Sequence, residues 1–285
     1  MLAVVKKMLS RYYAQEFSYE VPGLSKREIA VMYEGGKMLR HKHFEDLNKL
    51  KRYLSQYPPL HVYYSTAYYE NPSAPTMEAK GWQGADVVFD IDTDKYECYR
   101  YYQCLSMGHY YASVIYDILK TELGVQPTVR FSGTRGFHIH VPELKHLDKN
   151  ARQKLLEYIF GRYKISEKYV KIGSAARAGR QLLPENAFDV QVLLDVHRVI
   201  RYPDTVHGKS GLRCLDLDIN KSYDPHRIVE DASWAKGELK VYVKETGQNP
   251  RDAVFTIDCT GVCTLPAQVA LYALLRNLAE PIRRN

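Results

Sequence analysis

Two aspartates, Asp90 and Asp92, lie at the end of the apolar run that begins at Val87. Such a run predicts a buried β-strand, and residues two apart on a strand point to the same face. Both carboxylates then project together, and divalent cations such as Mg²⁺ or Mn²⁺ relieve their mutual repulsion. Phosphoryl-transfer sites use carboxylate pairs in this way. The alternative is a solvated strand end, because Asp-x-Asp is a common pattern and recurs at Asp216 and Asp218.

The segment Ser-Gly-Thr-Arg-Gly-Phe-His, residues 132–138, could contact phosphate. Its two glycines allow the main chain to approach an anion closely. The side chains of Ser132, Arg135 and His138 can direct hydrogen-bond donors at phosphate oxygens. The alternative is an ordinary hairpin turn with an incidental arginine.

A third polar cluster, within residues 198–211, carries Arg201, His207 and Lys209 around a tight turn. These groups suit the phosphates of a nucleotide, although a solvated basic loop is equally compatible with the pattern. The cluster contains Gly-Lys-Ser, as a P-loop does. Pro203 stands where that motif needs its first glycine, so a Walker motif is excluded.

The five cysteines form no pattern of known chemistry. Cys98, Cys104 and His109 offer three possible zinc ligands, whereas structural zinc sites normally have four. Cys259 and Cys263 are expected to be thiols in the core or at a helix end. The odd number of cysteines and their irregular spacing argue against a secreted disulfide scaffold.

Helical and strand patterns alternate along the chain, which predicts an α/β or α+β fold. Helices are predicted within 1–17, 44–54, 105–123, 155–160 and 269–278, and strands within 27–32, 37–41, 61–69, 86–91, 129–131, 137–141, 241–243 and 253–257. We find no repeat and no evident linker, so one domain over residues 1–285 is the simplest organisation.

Composition narrows the class of protein further. Of 285 residues, 45% are hydrophobic and 26% charged, which is ordinary for a globular protein and excludes wholesale disorder. The net charge of +7 permits an anionic partner such as nucleic acid without requiring one. There is no apolar stretch of membrane-spanning length and no signal-peptide pattern, so we expect a cytoplasmic protein with no membrane partner.

The three polar clusters, taken in this order, resemble those of the small catalytic subunit of archaeal and eukaryotic DNA primases, and most closely the archaeal form. The resemblance extends over nearly the whole chain. It includes residues 27–30, 40–41, 65–69, 77–86, 88–92, 131–141, 199–212 and 271–281.

This resemblance implies a mixed-sheet primase fold with an RRM-like catalytic unit and no large helical insertion. It assigns catalysis and metal binding to Asp90, Asp92 and a third carboxylate, Asp189, with Asp195 as the alternative. The residues that it assigns to the nucleotide triphosphate are Ser132, Arg135, His138, Arg201 and His207.

The resemblance also implies an activity, which is DNA-templated synthesis of short RNA primers with Mg²⁺ or Mn²⁺ at a two-metal site. Single-stranded DNA is the template, NTPs and dNTPs are the candidate substrates, and a large subunit with an iron–sulfur cluster is the partner in a heterodimer. The protein would act at the nucleoid. Residues 93–104 would be a shortened remnant of the family's zinc knob, so zinc is expected to bind weakly or not at all.

Arg177 and Arg180, in a loop that contains glycine, are expected to contact the template. Two other functions stay open at this point. One is a repair or gap-filling polymerase of the same superfamily. The other is a nucleic-acid-binding protein without enzymatic activity, in which the Asp90–Asp92 pair is only a strand end.

Overall fold

The computed structural model describes residues 2–95, 97–163, 188–219 and 224–282. Within these ranges lie seven α-helices: α1 (Ala3–Gln15), α2 (Leu47–Gln56), α3 (Tyr101–Leu123), α4 (Lys149–Tyr163), α5 (Val190–Leu194), α6 (Pro225–Ala232) and α7 (Ala267–Leu275). None of the helices in the described ranges is long and apolar enough to cross a membrane.

The strands form four antiparallel sheets. They are β1 (Ile29–Met32), β2 (Met38–Lys42), β3 (His61–Ser65), β4 (Ala67–Tyr69), β5 (Trp82–Ala85), β6 (Val87–Ile91), β7 (Thr128–Phe131), β8 (Phe137–Val141), β9 (Val199–Arg201), β10 (Leu215–Leu217), β11 (Glu238–Val243), β12 (Gly261–Pro266) and β13 (Ala279–Pro281). The strand orders are β2-β1-β3-β9, β10-β7-β8-β6, β12-β11-β13 and β4-β5.

The sheet β10-β7-β8-β6 is the part of the fold that matters most for function. Its β6-α3-β7-β8-α4 order, with β8 between β6 and β7, agrees with an RRM-like unit. Helix α3 packs closely on β8 because residue 108 is glycine. A Cβ atom there would lie only 2.9 Å from the Phe137 ring and 2.8 Å from the Thr93 methyl group.

The start of α2 and the end of α3 are each set by one residue of suitable type. The Asp46 carboxylate accepts a hydrogen bond from the Lys49 main-chain N–H at 2.8 Å and so caps the start of α2. Helix α3 ends at Gly124, whose φ of 66° lies in the left-handed region that favours glycine.

The predicted mixed α/β class is confirmed, and no large helical insertion interrupts the described ranges. The strand prediction for 253–257 is wrong, because that segment is irregular and the strand beside β11 is β12 instead. The apolar residues Val254 and Ile257 are buried, at 4% and 3% exposure, although they do not pair in a sheet. The β-rich segment 61–69 is two strands of different sheets. Organisation as a single domain stays a prediction.

Candidate active site

A cavity of about 500 Å³ opens where the carboxyl end of β6 meets the 132–138 loop and β9. The described residues that line it include four carboxylates, Asp90, Asp92, Asp94 and Asp252, and a set of cationic or neutral donors, Arg135, His138, Arg201, His207, Lys209 and Arg276. Acidic and basic groups therefore line the same cavity, which is the arrangement that a metal-assisted reaction on a polyphosphate requires.

Two of the cavity carboxylates are Asp90 and Asp92. Asp90 pairs across the β6–β8 ladder with His138, and its Oδ1 lies 3.5 Å from the His138 Nε2. Asp92 Oδ1 accepts a hydrogen bond from the main-chain N–H of Asp94 at 3.0 Å. The predicted carboxylate pair thus lies in the cavity, together with Asp94.

Asp189 contacts this pair through its main chain. Its N–H donates to the carbonyl oxygen of Asp90 at 2.6 Å, while its side-chain Oδ1 accepts from the N–H of Gln191 at 2.9 Å and caps α5. The alternative residue, Asp195, accepts from the N–H of His197 and pairs with Arg198. In the described ranges, no three His, Cys, Asp or Glu side chains are close enough to share one metal ion.

The 132–138 loop packs directly on the turn that follows β9. The N–H of Ser132 donates to the Gly136 carbonyl at 2.9 Å, and the Ser210 hydroxyl donates to the Gly133 carbonyl at 2.5 Å. Gly133 has a φ of 98°, and a Cβ atom there would lie 2.8 Å from the His207 Cβ. Two segments that the sequence analysis identified separately therefore form one wall.

Arg135 is held by two carboxylates in this structure. Its guanidinium pairs with Asp94 on one side and Asp252 on the other, and it donates to the main-chain carbonyl of Arg251 at 2.9 Å. Arg276, at the end of α7, lies 3.5 Å from the other oxygen of Asp252. The predicted phosphate-binding arginine is therefore paired with protein carboxylates.

The histidines of the cavity are buried and neutral. Burial, together with the positive charges of Arg130 and Arg201, holds the pKa of His138 well below its usual value. Burial, followed by the charge of Arg201, does the same to the pKa of His207. The Nδ1 atom of His138 is buried without a hydrogen-bond partner among the described residues. A neutral imidazole can donate one hydrogen bond. The His207 Nδ1 accepts from the Lys209 N–H, which leaves its Nε2–H for an anionic ligand, whereas the His138 Nε2 faces Asp90.

Several cavity residues were not assigned from the sequence. Asp94, Asp252 and Arg276 enter it from the turn after β6, an irregular segment and the end of α7. Asp94 continues the Asp-x-Asp spacing, and this spacing is the only feature of the sequence that indicates a place for it in the cavity. No pattern of neighbouring residues indicates that Asp252 or Arg276 belongs there. Arg177 and Arg180, predicted to contact template, lie outside the described residues.

The cysteine predictions need correction. Cys98 is bonded to Cys104, and Cys259 is bonded to Cys263, so these four residues are not thiols. Both pairs are close in sequence, and the first joins the turn before α3 to that helix. His109 instead packs edge-on against the Phe137 ring, with 5.8 Å between the ring centroids. These three residues therefore do not converge as a zinc site.

Comparison with known proteins identifies close relatives. The chain is 35% identical to the DNA primase small subunit PriS of Pyrobaculum calidifontis, over 97% of this chain and 99% of that protein. It is 32% identical to the Pyrobaculum islandicum protein and 28% identical to the Thermoplasma volcanium protein of the same name, with coverage of 97% and 96% of this chain and 99% and 96% of those proteins.

Among solved structures, the polymerase domain of Mycobacterium tuberculosis ligase D in complex with DNA is similar, with a TM-score of 0.48 and 13% sequence identity. The similarity covers 79% of this chain and 88% of that domain. No protein-family model matches the chain.

Proposed function

Because this chain belongs to the family of archaeal DNA primase small subunits, we propose that its cavity joins nucleotides into short primers on a single-stranded DNA template. The observation that carries the proposal is the convergence of Asp90 and Asp92 with Arg201 and His207 on one cavity. Nucleotidyl transfer needs such an arrangement, because it must neutralise a triphosphate and bring a hydroxyl oxygen to its α-phosphorus.

The cationic and neutral donors of the cavity would bind the triphosphate. Arg201 offers a planar guanidinium that is suited to two phosphate oxygens at once. Ser132 adds a further polar contact beside it. Arg135 would reach the phosphates by exchanging its carboxylate partners for phosphate oxygens, because both kinds of oxygen fit the same donors.

The carboxylates of the cavity would hold Mg²⁺ or Mn²⁺. The available donors there are carboxylate oxygens, the ligands that both ions prefer, and Asp90 and Asp92 already line the cavity. Asp189 is our proposed third ligand because its main chain is bonded to that of Asp90, although its carboxylate, which caps α5 here, would have to turn toward the pair. When bound, the cations would neutralise negative charge at the reacting phosphate and favour ionisation of the attacking hydroxyl.

In the reaction, the 3′ oxygen of one nucleotide forms a bond to the α-phosphorus of the next, and the bond from that phosphorus to the bridging oxygen of pyrophosphate breaks. Arg201 and His207 would hold the pyrophosphate portion in line with the attack. The hydroxyl proton leaves to solvent. This chain thus contributes orientation and electrostatic stabilisation and forms no covalent bond to the nucleotide.

We further propose that the protein works with a large subunit bearing an iron–sulfur cluster, as a heterodimer at the nucleoid in the cytoplasm. NTPs are its substrates, and dNTPs are a second class. The similarity to relatives named as small subunits supports a second subunit.

The test is primer synthesis by the purified chain, with and without a large subunit, on single-stranded DNA with labelled NTPs and Mg²⁺ or Mn²⁺. The Asp90→Asn, Asp92→Asn double variant should make no product while it still binds DNA. Asp218→Asn, in the other Asp-x-Asp pattern and exposed, is the matched control and should keep activity. Extension of annealed primers without any initiation would favour the gap-filling polymerase. The absence of product in both assays would favour a nucleic-acid-binding protein without enzymatic activity.

A further inference from the structure

Arg201 is held in the cavity wall by two side chains of β3. Antiparallel pairing sets Tyr63 opposite Arg201, and His61, two residues earlier, projects from the same face of the strand. Arg201 Nη1 donates to His61 Nδ1 at 3.0 Å, and its Nη2 donates to the Tyr63 hydroxyl at 3.3 Å. The guanidinium carbon lies 4.9 Å from the centre of the Tyr63 ring. These contacts fix one orientation of a long, otherwise flexible side chain.

His61 also supports the turn that carries His207. The two imidazole rings meet edge to face, with 4.8 Å between their centroids. The main-chain N–H of Gly208 points at the same Nδ1 atom of His61, at 3.5 Å. A Cβ atom at Gly208 would lie 2.7 Å from the Leu60 Cβ and 2.8 Å from the Leu60 carbonyl oxygen. Glycine is therefore the residue that lets this turn dock on the start of β3.

The protonation state of His61 fits this role. The side chain is 9% exposed, and it is not among the residues that line the cavity. Burial, followed by the positive charges of Arg201 and Lys209, lowers the pKa of His61 to about 3. Because both groups that face Nδ1 are donors, Nδ1 carries no proton and the proton of the neutral ring is on Nε2.

We propose that His61 is a positioning residue for nucleotide binding, whose unprotonated Nδ1 orients the Arg201 guanidinium and whose ring supports His207, so that both face the triphosphate. This inference rests on the proposed function for the identity of the ligand. His61 acts through Arg201 and His207 and does not itself touch the nucleotide.

Two substitutions separate the hydrogen bond from the packing. His61→Leu fills a similar volume but removes the acceptor, whereas His61→Asn places an amide oxygen near the position of Nδ1. Val62→Ala is the matched control, because Val62 is fully buried on the same strand and its side chain points to the opposite face. Thermal unfolding of each variant establishes that it is folded.

The expected result concerns nucleotide affinity. His61→Leu should raise the KM for NTP about tenfold, the effect of one lost hydrogen bond to a charged group, with kcat within about threefold of wild type. His61→Asn should restore most of the affinity, and Val62→Ala should leave KM unchanged even if its unfolding temperature falls. A folded His61→Leu variant with a wild-type KM would overturn the inference, as would a Val62→Ala variant with the same rise in KM.

Direct binding keeps this inference separable from the proposed function. Calorimetric titration with ATP carrying a methylene group between its α- and β-phosphates measures affinity without any bond formation. Tight binding by wild type and weak binding by His61→Leu would support the positioning role even if no primer were made, which would overturn only the proposed activity. Equal binding by both proteins would overturn the positioning role and leave the activity intact.

Discussion

The main-chain N–H of Asp189 donates to the carbonyl oxygen of Asp90 at 2.6 Å. This bond attaches the start of α5 to the end of β6, although the two residues are far apart in the sequence. The Asp189 side chain caps α5 and is not among the residues that line the cavity.

Substitution can distinguish the two candidates for the third carboxylate. We expect Asp189→Asn to lower kcat for nucleotide addition at least about a hundredfold, because charge stabilisation by a bound cation is worth several kcal/mol. Asp195→Asn should remain within about twofold of wild type, because Asp195 pairs with the exposed Arg198. Steady-state kinetics with both variants is the measurement, and the reverse order of effects would transfer the assignment to Asp195.

For Arg135 we predict a substitution that strengthens nucleotide binding. Its pairing with Asp94 and Asp252 competes with a triphosphate for the same guanidinium. In Asp252→Asn one competing charge is gone, while Asp94 and the Arg251 carbonyl still position the arginine. The KM for NTP should therefore fall about threefold, whereas Arg135→Ala should raise it about tenfold. An increase in KM for Asp252→Asn would show instead that Asp252 is needed to orient Arg135.

The sequence predicted those parts of the site whose signal is local. The apolar run that begins at Val87 is continuous, which predicts a strand. Asp90 and Asp92 are two residues apart at its end, so their position on one face of that strand also followed from neighbouring residues. Asp252 and Arg276 could not be found in this way, because they reach the cavity only through the packing of the 248–255 segment and α7. The role of His61 depends on the pairing of β3 with β9, a contact between distant segments.

Contacts between distant segments also explain why the strand predicted at 253–257 is absent from that segment. Alternating apolar residues indicate burial, and burial there comes from packing of an irregular segment under α7, where the Tyr272 hydroxyl donates to the Asp252 carbonyl at 3.0 Å. Pairing partners are not encoded in the local pattern, so a buried coil and a short strand have the same sequence signature.

The buried histidines predict how stability changes with pH. The pKa of His61 is lowered in the folded state to about 3, whereas an unfolded histidine titrates near 6.5. As pH falls below about 6.5 the unfolded chain takes up a proton that the folded chain does not, so this histidine destabilises the folded state progressively.

Between pH 7.5 and 5.5 we expect His61 alone to remove about 1 kcal/mol of unfolding free energy. In His61→Asn that component is absent, so the decline over this pH range should be shallower by the same amount. Urea unfolding at several pH values measures it. Identical slopes for wild type and variant would show that the pKa of His61 is not lowered in the folded protein.

The segment 27–30, part of the family resemblance, holds the fold together instead of acting on substrate. Arg27 is 1% exposed, and its Nη2 lies 2.6 Å from Asp86 Oδ2 at the start of β6. Its Nη1 donates to the carbonyl oxygens of Ser65 and Thr66, at 2.7 and 2.9 Å, and the guanidinium stacks over the Tyr68 ring at 3.9 Å. One arginine thus ties β3 and β4 to the strand that carries the aspartates.

Arg27→Met should lower the free energy of unfolding by about 3 to 5 kcal/mol, because it leaves the buried Asp86 carboxylate without its cationic partner and removes the Arg27 donor from the Ser65 and Thr66 carbonyls. The double variant Arg27→Met, Asp86→Leu should lose less unfolding free energy than the two single variants lose together, because it also removes the carboxylate that Arg27→Met leaves unpaired. Urea unfolding at neutral pH tests both. Additive losses would mean that the two side chains contribute independently, and they would contradict the ion pair as the source of the lost stability.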